Sequence, residues 1–209
     1  MILVTGTPRS GSSAVMQTLS LLGVPIAGSD TTDMRGVSFL PDDTPNKNCL
    51  LKHNTKGFWT LPEEKIVDLI LHEDLKNQAI KILAPLHGCI LNTHVQAAIV
   101  CCRRSKTDQA RSMHRLINTE LSVLTEGYRK MHLQYLSMIG LEKWLEYYQG
   151  EVEHLLMVLN IPILKIYFED LIANPDLWVR EINTFLNYMG ANVERAINNL
   201  KGELSEAGI

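Results

Sequence analysis

Four short, near-continuously apolar runs rich in β-branched residues punctuate the chain, at Ile2 to Thr5, Ala79 to Leu83, Ala97 to Cys102 and Ile163 to Tyr167. Runs of this length and composition predict strands covered on both faces. The stretches between them have helical period. Ser13 to Leu22 follows the first run, Pro62 to His72 opens on a proline suited to a first helical turn, and Lys106 to Ile117 follows the third run. Glu126 to Leu159 reads as two helices broken near Gly140 and stopped by Asn160 and Pro162. Asn174-Pro175 then introduces a helix over Asp176 to Tyr188 that ends at Gly190. Strands alternating with helices predict an α/β fold, a three-layer sandwich about a central, mostly parallel sheet. Ligands of such sheets bind at the carboxyl ends of the strands.

One region breaks the alternation. Gly28 to Phe58 is polar and punctuated by Gly, Pro and Asn, without a sustained period. Two readings fit it, a substrate-facing flap at about 28–60 and a disordered insertion without a role. The 209 residues, 45% hydrophobic and 21% charged, suit one domain spanning 1–209 with a single sizeable core. A net charge of −3 argues against a general nucleic-acid binder and leaves room for a local basic pocket. The four cysteines, Cys101 and Cys102 adjacent among them, have neither zinc-ligand spacing nor a disulfide pattern and read as reduced core thiols. No apolar stretch reaches membrane-spanning length and no leader pattern precedes Ile2, so the expectation is a cytoplasmic protein without a membrane partner.

The candidate chemistry begins where the first run ends. Thr5-Gly6-Thr7-Pro8-Arg9-Ser10-Gly11-Ser12-Ser13 is a Gly/Ser-rich turn between a strand and a helix, an arrangement that aims backbone N–H groups at an anion. Arg9 and the Ser12 and Ser13 hydroxyls can add charge-assisted contacts. A nucleoside-triphosphate loop needs a Lys on the outer phosphates after its second Gly, and Ser12 stands there instead, which disfavours ATP chemistry. A turn with no ligand is the plainer alternative. A second basic cluster, Arg103-Arg104-Ser105-Lys106, follows the third run, with Ser112 eight residues beyond Arg104. An Arg at a strand end and a hydroxyl two turns into the next helix can hold one phosphate from two sides, although a solvated cap has the same composition.

Together these pieces resemble the sulfotransferase superfamily, whose donor is 3′-phosphoadenosine 5′-phosphosulfate (PAPS). Thr5 to Ser13 resembles the family's 5′-phosphosulfate loop in its Pro-Arg-Ser-Gly-Ser/Thr-Ser form, and Arg104 and Ser112 match the pair that holds the 3′-phosphate. Tyr167-Phe168-Glu169-Asp170-Leu171 with Asn174-Pro175 is similar to a Tyr-Glu-Asp-Leu…Asn-Pro signature with one residue inserted. Asn54-Thr55-Lys56-Gly57-Phe58-Trp59 is similar to an Asn-Pro-Lys-Gly-Tyr/Phe-Phe segment of bacterial members. The resemblance implies metal-free transfer of a sulfuryl group from PAPS to a hydroxyl or amine of a small-molecule or glycan acceptor. Pro8, Arg9, Ser10, Gly11, Ser12 and Ser13 would hold the 5′ end, with Arg9 in the role of the family's loop Lys. Lys201, in Leu200-Lys201-Gly202, would stand for the family's C-terminal basic loop over the 3′-phosphate, and Trp59 for an adenine platform.

The family's base is a His two residues after a Lys in a Lys-Thr-His-Leu-Pro run. The corresponding residues here are Lys81-Ile82-Leu83-Ala84-Pro85, with Leu83 in place of the His. His87, just past Pro85, is the nearest imidazole and the candidate base; His53, Glu63 and Asp33 are weaker ones. Thr60 replaces a Glu that often follows the Gly-Tyr/Phe-Phe segment. Two further readings therefore stand beside the enzyme: a small-metabolite or nucleotide kinase, and a non-catalytic nucleotide-binding protein of the same fold. The apolar residues from Met131 to Leu159 suit a core or a subunit interface equally.

Overall fold

Alternation along the first strand, β1 (Ile2–Gly6), divides the molecule into layers. Ile2 and Val4 face one side of the sheet and Leu3 the other, as a period of two requires. The computed structural model describes residues 1–27, 63–72, 75–115, 137–187 and 192–206. In chain order these form β1, α1 (Ser12–Leu21), α2 (Glu63–His72), β2 (Ala79–Lys81), a 3₁₀ segment (Leu86–Asn92), β3 (Ala97–Cys102), α3 (Lys106–Arg115), α4 (Met138–Val158), β4 (Ile163–Tyr167), α5 (Phe168–Ala173), α6 (Pro175–Leu186) and α7 (Val193–Glu206).

The sheet has the order β2-β1-β3-β4 and every pairing is parallel. Ile2 lies beside Ala79 on one side and Ala97 on the other, and Cys102 beside Tyr167. One face packs Ile2, Val4, Ile99 and Cys101 against Val15, Met16 and Leu19 of α1, Val179 and Ile182 of α6, and Ile197 and Leu200 of α7. The other packs Leu3, Ile80, Ala98, Val100 and Cys102 against Ile66 and Leu69 of α2 and Val152 and Leu156 of α4. The expected three-layer α/β sandwich is thus present, with a core on each face of a parallel sheet.

Several boundaries differ from expectation, each for a local reason. β4 is not covered on both faces: Ile163 is 40% exposed and Lys165 is exposed, and no strand pairs with its outer edge among the described residues. A lysine there, bonded to Glu153 at 2.8 Å, suits an edge strand. No break falls at Gly140: α4 starts after Ser137, whose hydroxyl accepts from the Gly140 N–H, and Gly140 lies within the first turn, while the residues before Ser137 lie outside the described ones. The expected helix over Asp176 to Tyr188 starts at Pro175 and ends at Leu186. Asn187, in the left-handed region at φ 49°, terminates it before Gly190. β2 ends at Lys81, yet Ile82 and Ala84 still donate to Val4 and Gly6, so the chain runs beside β1 to its end. The Asn54 to Trp59 segment, the flap, His53, Asp33 and Thr60 lie outside the described residues, as does the Glu63 side chain.

Candidate anion-binding site

From β1 the chain moves to β2 on one side, whereas from β3 it moves to β4 on the other. The carboxyl ends of β1 and β3 therefore flank the point where strand order reverses, the position at which open α/β sheets form a crevice. Both basic segments of the sequence emerge there, the loop after Gly6 and the cluster after Cys102.

Close backbone approach shapes the first. Gly6 has φ 135°, and a Cβ on it would lie 2.3 Å from the Cys101 carbonyl oxygen of the neighbouring strand. Gly11, at φ 91°, would set a Cβ 2.4 Å from the Phe168 ring, so the start of α5 lies directly over the loop. Between them Arg9 is also left-handed, at φ 65°. α1 begins at once after Gly11 and has no acidic residue in its first turn. Its first N–H groups have no partners within the helix and carry the positive end of its dipole.

The side chains at this terminus are polar and buried. Thr7, Ser10 and Ser12 are all buried, and the Ser10 Oγ, in a residue 1% exposed, has no hydrogen-bond partner among the described residues. A buried hydroxyl without a partner is costly unless a ligand completes it. Lys81 reaches the same point from the end of β2. It is 6% exposed, and its Nζ donates to Ser13 Oγ at 3.3 Å. Burial, with a smaller contribution from nearby Arg9, pulls its pKa down to about 7, against a weaker upward pull from Cys101. Among the described residues no carboxylate pairs with it. A helix N-terminus, Arg9, Lys81 and an orphaned hydroxyl are the groups that a cradle for an oxyanion of two or more negative charges would need. The residues present thus fit the phosphate end of a nucleotide.

The second basic segment is held by α5. Arg104 Nη2 donates to both oxygens of Asp170, at 2.9 and 2.7 Å, and its guanidinium lies 4.8 Å over the Tyr167 ring. Both bonds leave from one nitrogen, so Nε and Nη1 are not part of that fork, and the side chain is 61% exposed. Arg103 pairs with Glu169 at 3.3 Å and stacks over Phe168. The Tyr-Phe-Glu-Asp segment is therefore the support that orients the basic cluster. Ser112 does not turn toward Arg104. Its hydroxyl accepts from Arg9 Nε at 3.0 Å, which joins the second segment to the first.

His87 sits in the 3₁₀ segment beyond Pro85, three residues after Ala84, whose N–H donates to the Gly6 carbonyl at 2.9 Å. Its ring meets Tyr148 edge-on at 6.0 Å. Burial pushes its pKa down, and Nδ1 is buried without a hydrogen bond, so the imidazole is neutral at neutral pH. A neutral imidazole is the form that accepts a proton. Lys201 points elsewhere: it pairs with Asp176 in the first turn of α6 at 2.6 Å, and none of its described contacts reaches Arg104, Ser112 or the loop. Trp178 packs against the core and Trp144 against Tyr148 at 4.6 Å. Cys101 and Cys102 are buried and free, their thiol pKa values raised chiefly by burial.

Sequence reasoning noted Lys81 as a motif match without assigning it a site role, although a lysine inside an apolar strand run is a visible signal. Gln109 has no local signal and Asp170 is visible only as part of the Tyr-Phe-Glu-Asp-Leu signature, because their roles depend on partners distant in sequence.

No family model and no curated protein sequence matches the chain. Among solved structures, a retinol dehydratase in complex with androsterone and the inactive cofactor PAP is similar to it, with a TM-score of 0.51 and 13% sequence identity. The match covers 97% of this chain and 63% of that enzyme, so the chain spans less than two thirds of its length. What this likeness carries is the fold: an α/β arrangement about a parallel sheet, shared with that enzyme.

Proposed function

We propose that the chain is a sulfotransferase that binds PAPS and transfers its sulfuryl group to a hydroxyl or amine of a small-molecule or glycan acceptor. The observation that carries this reading is the setting of Lys81: its Nζ reaches Ser13 Oγ at the N-terminus of α1, Arg9 lies close enough to lower its pKa, and the nearby loop holds the buried Ser10 hydroxyl, without a partner among the described residues. The similar retinol dehydratase structure holds PAP, the desulfated form of that donor.

PAPS supplies the activated sulfuryl group. The chain binds, orients and neutralises charge. Pro8 to Ser13 form the loop around the 5′ end, with Ser10, Ser12 and Ser13 donating hydroxyl hydrogen bonds. Arg9 and Lys81 offset negative charge growing on the departing phosphate. Arg has too high a pKa to give up a proton, whereas Lys81 holds one that can move. Arg104, through Nε and Nη1, and Ser112 would take the 3′-phosphate; Lys201 would join them only by leaving Asp176. His87 accepts the acceptor's proton. A second reading, a nucleotide-binding protein without turnover, is favoured by one observation: Leu83, where the resembled family has its base, is buried and carries no titratable group. The kinase reading has no lysine at position 12 to support it.

Calorimetry in the presence of a chelator, with adenosine 3′,5′-bisphosphate beside ADP and AMP, tests the reading. The 3′-phosphorylated nucleotide is expected to bind best without magnesium; a requirement for magnesium with ADP would overturn the assignment. Arg104→Ala is expected to reduce affinity for the 3′-phosphorylated nucleotide about 10- to 100-fold, the value of charged hydrogen bonds to a phosphate. AMP affinity should hold within about twofold. Equal losses for both would remove Arg104 from the 3′-phosphate site.

A further inference from the structure

Gln109 lies on α3, one turn before Ser112, and is 0% exposed. Its Nε2 donates to Thr7 Oγ1 at 2.8 Å and to the Pro8 carbonyl at 2.8 Å, while its Oε1 accepts from Lys106 Nζ at 3.1 Å. These partners fix the amide's orientation, because a carbonyl can only accept and an ammonium can only donate. Gln149 of α4 backs the contact from behind: its Oε1 accepts from Thr7 Oγ1 at 3.5 Å, and its Nε2 donates to Glu153 at 2.8 Å.

The consequence for the loop follows from peptide planarity. In a trans peptide the C=O and the N–H point to opposite sides. With the Pro8 oxygen held against α3, the Arg9 N–H is turned away from α3. The same peptide sets the starting direction of Arg9, whose left-handed φ of 65° is an uncommon conformation that its surroundings must enforce. The Arg9 side chain then returns to α3 at Ser112. Two residues one helical turn apart thus hold the Pro8 carbonyl and the Arg9 side chain, adjacent positions of one loop.

We infer that Gln109 is a positioning residue of the cradle: by holding the Pro8 carbonyl it fixes the Pro8–Arg9 peptide plane, and through it the Arg9 guanidinium. This rests on the reading of the loop as a phosphate site. Without the amide, the peptide is free to rotate and the Arg9 guanidinium loses its fixed direction.

The test is calorimetric binding of adenosine 3′,5′-bisphosphate to the wild-type chain, to Gln109→Met, which keeps the volume and removes both donors, and to each in an Arg9→Ala background. Gln109→Met is expected to weaken binding about 10- to 100-fold, the scale of a 1 Å misplacement. In the Arg9→Ala background it should change affinity less than about twofold, since a residue acting through Arg9 has nothing left to position. Gln109→Asn, one carbon short of Pro8, should show the same pattern and replaces the methionine variant should that one not fold. Wild-type affinity in Gln109→Met, or an equal loss in both backgrounds, overturns the inference and leaves the phosphate site standing. Failure of the wild-type chain to bind overturns both.

Discussion

Replacing Lys81 with methionine is expected to abolish the fall in nucleotide affinity above pH 7. In the free protein the Lys81 amine titrates at about 7, held down chiefly by burial and further by Arg9. A bound phosphate brings two negative charges to the same place and raises that pKa, because an opposite charge close by favours the ammonium. Above pH 7 the free protein has lost the proton and the complex regains it. Binding therefore takes up as much as one proton, and the logarithm of the affinity falls with a slope approaching −1 per pH unit. Below pH 7 the ammonium is already present, and the phosphate's own second ionisation near pH ~6 makes affinity rise with pH. The wild-type profile should thus peak near neutrality, and that of Lys81→Met should rise and level off. Calorimetry at pH 8 in two buffers of different ionisation enthalpy reads the proton directly. Uptake near one for wild type and none for the variant is the expected outcome; no uptake by wild type would remove Lys81 from contact with the anion.

Stability should move oppositely. Between pH 7 and the ordinary lysine value of about 10.5 the unfolded chain carries the Lys81 proton and the folded chain does not. Wild-type stability therefore rises with pH across that window. The buried ammonium costs on the order of a few kcal/mol at and below pH 7. Lys81→Met should remove that cost and melt at higher temperature at pH 7 while binding nucleotide more weakly.

Gly6→Ala is expected to have the largest effect on folding. The added methyl would stand 2.3 Å from the Cys101 carbonyl oxygen, a backbone atom of the central strand pair that cannot swing aside. Gly6 also accepts from the Ala84 N–H, so a shift to relieve the clash disturbs the approach of β2 as well. A loss above about 3 kcal/mol is expected, a large part of the roughly 5–15 kcal/mol that holds a domain together. A urea midpoint unchanged from wild type would mean that β1 and β3 do not pair in this register. Gly150 and Gly202 give the contrast. A methyl at either meets nothing within 4 Å, and both lie inside helices. Alanine there should be neutral or stabilising by up to about 1 kcal/mol.

The parts of the fold read correctly from sequence are those set by local pattern. β3 and the limits of β4 follow from apolar runs, and α1 from the glycine before it. What could not be read depends on partners far along the chain. The run at Ile163 to Tyr167 looks like an interior strand, and only sheet order leaves Ile163 and Lys165 outside. Asn187 stops α6 by adopting the left-handed conformation, an option that asparagine carries without announcing it, while Gly190 draws the eye. Around the candidate site, the places of the Gly/Ser loop and of Arg104 at strand ends were legible because glycines and strand-end arginines are local signals. The bond from Arg9 to Ser112 spans 103 positions and the one from Gln109 to Pro8 spans 101, so no window of sequence contains either. Asp170 passed as part of a signature until its carboxylate met Arg104.

Arg9 has company in its backbone conformation: Asn77, Asn160 and Asn187 share it. Asparagine and glycine enter that region with little penalty, whereas most other residues spend on the order of 1–2 kcal/mol there. Anyone evolving this chain in the laboratory for heat tolerance alone will meet a shortcut at position 9. Glycine or asparagine would relax the loop and survive the screen, and the hardiest clones would be those that had discarded an exposed charge from the mouth of the cradle. Durability and grip are opposed at this residue, so a screen that omits ligand capture selects for an emptier protein.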